Sequence, residues 1–158
     1  MALKDSHGSN EDEFFDPQVF NKFGARRLSR IFVVQGLYHQ LISKSNLEAI
    51  EEYIIEQAFF QSCDEKYFFD GLRKISISRD ALEVSFKDYL NVSLDRISPV
   101  EHSVILLASY ELLHKLDIAP KIIINEAIEI DKLLGGNQGH RLVNGVLDRM
   151  ATDIRRKE

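Results

Sequence analysis

The chain has a single cysteine, Cys63, among its 158 residues. One cysteine excludes an intramolecular disulfide, and no segment offers the roughly 18 consecutive apolar residues that a membrane-spanning helix requires. The N-terminus lacks the basic-then-apolar layout of a secretory signal. Together these absences point to a cytoplasmic, reducing location and exclude a membrane partner. Proline is scarce, at three, and glycine stands at eight. No run of β-branched, alternating residues supplies a sheet, whereas stretches of Leu, Ile, Glu and Lys favour helices. The expected fold class is therefore all-α, a compact helical bundle of about six to seven helices. Positive charge is short as well. A formal net charge of −5 excludes nucleic-acid binding through bulk charge and requires any such binding to come from a local basic patch.

Catalytic constellations are missing too. There is no P-loop, no HExxH and no cysteine cluster, and the stretch Leu134-Gly-Gly-Asn-Gln-Gly139 lacks the preceding strand of a dinucleotide-binding turn. Glu111-Leu-Leu-His114 has the ExxH spacing of di-iron bundles, but such a site needs a second ExxH and two further carboxylates. Cys63 has no activating neighbour in the sequence and reads as a core or boundary thiol. The sequence gives no reason to expect a catalytic residue, a metal or a cofactor.

What is present is enough for one core: 44% of the residues are hydrophobic, and the length fits a single domain. Residues 1–16 are polar and carry Asp5, Glu11, Asp12, Glu13 and Asp16, which reads as a disordered acidic extension, although Phe14, Phe15, Phe20 and Phe23 offer docking side chains. Residues 17–158 form the expected domain. Pro17 to Phe23 suits a short extra turn. From Ala25, apolar residues at helical spacing (Leu28, Ile31, Phe32, Leu37, Tyr38, Leu41, Ile42) predict a helix ending near Ser43. Ser45-Asn46-Leu47-Glu48 fits a capping box opening a second, with Leu47, Ile50, Ile54 and Ala58 as its buried stripe. A longer pattern through Phe68, Leu72, Ile75, Leu82, Phe86 and Tyr89 follows, with a break expected around Ser76 to Ser78.

Ser98-Pro99-Val100-Glu101 is the cleanest helix start, with a cap, a proline at N1 and a glutamate at N3. Val104, Ile105, Leu107, Ala108, Leu112 and Leu116 then make a helix apolar almost all round, the expected centre of the bundle. Pro120 opens the next, with Ile124, Ala127, Ile128 and Leu134 inward, and Gly135 is placed to end it in a left-handed conformation. Asn137 is positioned to cap the last helix. There Asn144-Gly145 carries the penalty of a helical glycine, ~1 kcal/mol against alanine, which predicts close approach of a neighbouring helix.

Two surfaces suit an anionic partner. Arg26, Arg27 and Arg30 fall in the first turns of a helix, where the dipole disfavours cations, and Arg26 and Arg30 share a face. Gln35, Tyr38 and Gln40 follow, with amides for base edges and an aromatic ring for stacking on an unpaired base. The same arginines also fit an ordinary solvated basic turn neutralised by the acidic segment. Asn137 to Arg141 open the last helix, whose free amides attract phosphate, although the residues alone fit a plain helix cap better.

Several strings in one order carry a resemblance. Ile124-Asn-Glu-Ala-Ile-Glu-Ile130 followed by His140-Arg-Leu-Val-Asn-Gly-Val-Leu-Asp148 resembles INEAIELAK and HKFVNGVLD of the transcription antitermination NusB family. Ala25-Arg-Arg-Leu-Ser-Arg30 with Val34-Gln-Gly-Leu-Tyr38 is similar to its opening ARRRARE and VQALY. Ser98-Pro-Val-Glu101, Ala108-Ser-Tyr-Glu-Leu112 and Asp117-Ile-Ala-Pro-Lys121 resemble its D/G-P-V-E, A-x-YEL and D-x-P-P-K elements. The resemblance covers about Ala25 to Met150 and implies two packed three-helix groups. It implies a non-enzymatic protein that binds the boxA element of nascent ribosomal transcripts, as single-stranded RNA, with NusE, a small-subunit ribosomal protein. That complex joins RNA polymerase and suppresses termination.

By the same resemblance the RNA surface comprises Arg26, Arg27, Arg30, Gln35, Tyr38, Gln138, Arg141 and Leu142, and Glu101, Tyr89 and Asp95 face NusE. Leu28 and Leu106 stand where the family often has arginine, Leu142 replaces an aromatic residue, and Gln138 replaces a common acid, which removes a repulsion with phosphate. The acidic extension is expected to lower nonspecific RNA binding by competing for the arginines. Two other readings fit parts of the sequence. One is the NusB-like RNA-recruiting domain of ribosomal RNA methyltransferases, which would need a further cofactor domain; the other is a protein-only helical interaction module. The sequence leaves monomer or homodimer open.

Overall fold

The computed structural model describes residues 17–135 and 139–155. The acidic extension, Asn137 and Gln138 lie outside the described residues. Among the described residues there are seven α-helices and no strand. They are α1 Ala25–Ser43, α2 Leu47–Ile55, α3 Glu65–Ile77, α4 Arg79–Lys87, α5 Pro99–His114, α6 Pro120–Leu134 and α7 Gly139–Arg155. Short 3-10 turns occupy Pro17–Lys22, Phe60–Ser62 and Leu94–Arg96. The all-α class expected from the sequence is the class observed. The chain divides into two compact units, residues 1–76 and 77–158, and the break expected near Ser78 falls between α3 and α4.

In the first unit, α1 runs until Lys44 turns the chain with a left-handed φ of 56°. The cap of α2 is Asn46, whose side chain accepts from the Ala49 amide at 2.8 Å, so the expected capping box starts one residue too early. Helix α2 ends at Ile55, which leaves Ala58 beyond the helix and exposed, not in its buried stripe; Ile42, in the last turn of α1, is likewise exposed. The core is a chain of aromatic rings: Phe20 meets Phe32 at 6.0 Å, Phe32 meets Phe60 at 5.4 Å, Phe60 meets Phe68 at 5.1 Å and Phe68 meets Phe69 at 4.9 Å. A side chain at Gly36 would put its Cβ 3.0 Å from both Leu72 methyls, so glycine lets α1 approach α3 closely. That packing sets where the start of α3 stands under the start of α1.

In the second unit, Ser98 caps α5 by accepting from the Glu101 amide at 3.3 Å, while its hydroxyl donates to Glu101 Oε1, as the sequence pattern anticipates. Every residue from Glu101 to Leu112 is buried, and α5 packs against α4, α6 and α7. Leu116 falls past the end of α5 and is exposed, contrary to the expected stripe. In α6 the inward residues are Ile123, Ala127, Ile130 and Leu134, with Ile124 and Ile128 only half-buried. Glu83 of α4 accepts from Arg79 at 2.9 Å and meets His102 of α5 at 2.7 Å; burial still holds His102 below its usual pKa, against the opposing pull of Glu83.

Two glycine expectations fail. Gly135 is extended, at φ −100° and ψ −165°, not left-handed. A Cβ on Gly145 would meet only the Arg149 side chain, at 3.6 Å, because the Asn144-Gly145 pair lies off the buried stripe of Val143, Val146, Leu147 and Met150. No neighbouring helix explains Gly145.

Arg155 closes the unit. Its guanidinium donates to the carbonyls of Leu112 at 2.9 Å, Ile118 at 3.1 Å and Lys115 at 3.2 Å, neutralising the C-terminal end of α5. Arg155→Ala strips charged donors from carbonyls that have no further turn of helix, and is expected to cost about 2 kcal/mol in chemical denaturation. Arg155→Lys, which cannot reach several carbonyls from one planar fork, should recover less than half of that.

Candidate nucleic-acid interface

Helix α1 begins at Gly24, which supplies no side-chain cap, and its first turn holds no acid. Cations there oppose the helix dipole, so their neighbours must compensate. Arg26 stacks on the Tyr67 ring with its guanidinium carbon 3.9 Å from the centroid, and Arg30 reaches the same ring at 5.8 Å. Arg27 lies over Phe23 at 5.3 Å. Tyr67 is held from below by Asp64, which caps α3 by accepting from the Tyr67 amide at 3.1 Å and lies 3.6 Å from Arg26. Ser29 ties the two helix starts together by donating to the Asp64 carbonyl at 2.6 Å. A planar cation can stack on a ring through its face while its edge engages an acceptor, as the Arg26 guanidinium does with Asp64.

The expected RNA residues differ in access. Arg26 is exposed, Arg27 and Tyr38 are half-buried, and Arg30 is 5% exposed. Gln35, expected to read base edges, is 2% exposed, because α1 is buried on all sides from Leu28 to Leu37. Gln40 receives the Ser76 hydroxyl at 3.1 Å. Tyr38 lies edge-on to His39 at 5.9 Å, and His39 meets Tyr53 at 4.9 Å. From Arg26 to Tyr38 the strip runs about 18 Å along α1. Leu28 and Leu106 are fully buried, so at both places leucine serves the core. Cys63, at the edge of this region, is pushed above its usual pKa by burial.

At the start of α7, Arg141 is exposed and His140 and Leu142 are half-buried. Gln138 lies outside the described residues. Beneath this turn stand two buried carboxylates, Glu101 at 6% and Asp131 at 0% exposure. The residues expected to face NusE sit in three separate hydrogen-bond groups. Glu101 is engaged by Ser98. The Tyr89 phenol donates to Asp153 at 2.6 Å, a bond that raises its pKa, and its carbonyl accepts from Arg149. Asp95 accepts from Ser93 at 2.7 Å and is exposed.

The family model for the NusB family matches residues 27–152, most of both units. The chain belongs to the NusB family. Its relatives include proteins named transcription antitermination protein NusB from Aromatoleum aromaticum, 42% identical over 83% of this chain and 90% of that protein, and from Cupriavidus pinatubonensis, 38% identical over 85% and 80%. Among solved structures, Thermotoga maritima NusB aligns with a TM-score of 0.72 at 35% identity, covering 84% of this chain and 94% of that one. The NusB match begins one residue after Arg26 and leaves the acidic extension outside it. Within the NusB-like region, sequence reasoning missed Tyr67 and Asp64. Their only local signal was an Asp three residues before an aromatic at a helix start.

Proposed function

We propose that this chain is a transcription antitermination factor that binds boxA-type single-stranded RNA together with NusE and joins the RNA polymerase complex, without catalysing a reaction. The observation that carries the reading is the Arg26–Tyr67–Arg30 stack at an uncapped, acid-free helix start. The helix dipole disfavours cations there; Asp64 and the two rings offset part of that cost, and an RNA phosphate would offset more. RNA contact is assigned to Arg26, Arg27, Arg30 and Tyr38 in the first unit and to Gln138, Arg141 and Leu142 in the second. Glu101, Tyr89 and Asp95 are assigned to NusE. The relatives' shared name supports the role in antitermination.

A titration of boxA-like single-stranded RNA, with and without NusE, at two salt concentrations tests this. Affinity should rise when NusE is present and fall as salt is raised, by about 0.7 in log–log slope for each phosphate neutralised. Salt-independent binding, or none in either case, would leave a protein-only module as the better account.

A further inference from the structure

Asp64 stands where the starts of α1 and α3 meet, and its carboxylate serves both. Its backbone is fixed from two sides: the amide donates to the Ala25 carbonyl at 3.3 Å, and the carbonyl accepts the Ser29 hydroxyl at 2.6 Å. Oδ1 accepts from the Tyr67 amide at 3.1 Å, so the side chain cannot swing away without giving up the cap of α3. Oδ2 is left 3.6 Å from Arg26 Nη2. The cap does not need the charge. Asparagine or serine caps a helix as well as aspartate does, and Glu65 already places an acid in the first turn of α3. What the charge does is offset Arg26, an exposed cation at the start of α1. The contact is longer than a direct N–H···O bond, and both side chains are open to solvent, at 47% for Arg26 and 37% for Asp64. Such a pair is held weakly, by charge, and yields to an oxyanion that takes the N–H groups directly.

We propose that Asp64 is an internal counter-ion for Arg26, which takes the place of an RNA phosphate in the free chain and competes with phosphate for the guanidinium when RNA of any sequence binds. This rests on the reading that Arg26 touches RNA. Asp64 itself need not reach the ligand; it acts through Arg26.

The test is a fluorescence-anisotropy titration of the full chain with a short single-stranded RNA of random sequence, at low and high salt, using Asp64→Asn, which keeps an oxygen for the Tyr67 amide and removes the charge. Binding should tighten about threefold at low salt, the size of one charge acting near a phosphate at a surface of high effective dielectric, while Tm does not rise. A purely structural role for Asp64 would instead weaken binding along with stability. The gain should fade at high salt and vanish when Arg26→Ala is added. Glu48→Gln, the same change in net charge at an exposed residue in the first turn of α2, should leave affinity unchanged. Should Asp64→Asn fail to fold, Asp64→Ser, which also caps, decides. A folded variant with wild-type or weaker affinity at low salt, a gain that survives high salt or Arg26→Ala, or an equal gain in Glu48→Gln overturns the counter-ion. A wild type that binds no RNA overturns the underlying reading as well.

Discussion

Replacing Arg26 and Arg27 by alanine is expected to weaken binding of single-stranded RNA about tenfold, and adding Arg30→Ala to bring the loss to about a hundredfold. The arithmetic follows from geometry. Arg26 and Arg27 hold their guanidinium groups over Tyr67 and Phe23, and with one phosphate contact proposed for each the salt slope should fall by about 1.4 for the pair. Arg30 is 5% exposed and shares the Tyr67 ring, so its removal takes away the second layer of the stack as well as charge. Thermal unfolding of the double and triple variants separates the two effects, because Arg30 is the one of the three arginines that is itself buried. An unchanged salt slope in the folded double variant would show that the arginines are solubilising charge.

Phe68→Ala is expected to give the largest loss of stability, about 4 kcal/mol, with a fall in Tm on the order of 10 °C. Phe68 is fully buried and sits between Phe60 and Phe69, so its loss leaves a cavity where α3 joins the aromatic chain. Because Tyr67 precedes it in the same helical turn, the variant should also bind RNA more weakly at temperatures where it remains folded. Urea denaturation followed by circular dichroism measures the first effect; a loss under 1 kcal/mol would mean that the aromatic chain is not the core of this unit.

Helix starts were the most legible part of the fold, because capping chemistry is local. Ser98-Pro99 and Pro120 open helices where their residue types require it, and the α3–α4 break falls at Ser78. Ser45 and Asn46 are both capping residues, and only the geometry of the Lys44 turn selects the second. Helix ends were less legible. Apolar periodicity continues past Ile55 and His114, so Ala58 and Leu116 read as core although the chain has already left the helix. Glycines misled for a related reason. Gly135 and Gly139 lie against Glu101, more than thirty residues away, as well as against Asp131, and spacing along the chain does not show the Glu101 contact.

The binding surface was legible as residue types and incomplete as geometry. Three arginines at a helix start with no acid nearby are a conflict visible in one dimension. Their partner ring, Tyr67, is forty-one residues beyond Arg26, and Gln35 looked available only because sequence cannot show that α1 is buried all round between Leu28 and Leu37. Family strings located the region; contacts assigned the labour within it.

Amide chemical-shift mapping of the isotopically labelled chain, titrated with boxA-like RNA, tests the central claim most directly. The account predicts that the perturbed amides cluster at Arg26 to Arg30, around Tyr38 and Tyr67, and at His140 to Leu142. Shifts confined to α4 and the Leu94–Arg96 turn, with the arginine helix silent, would contradict it.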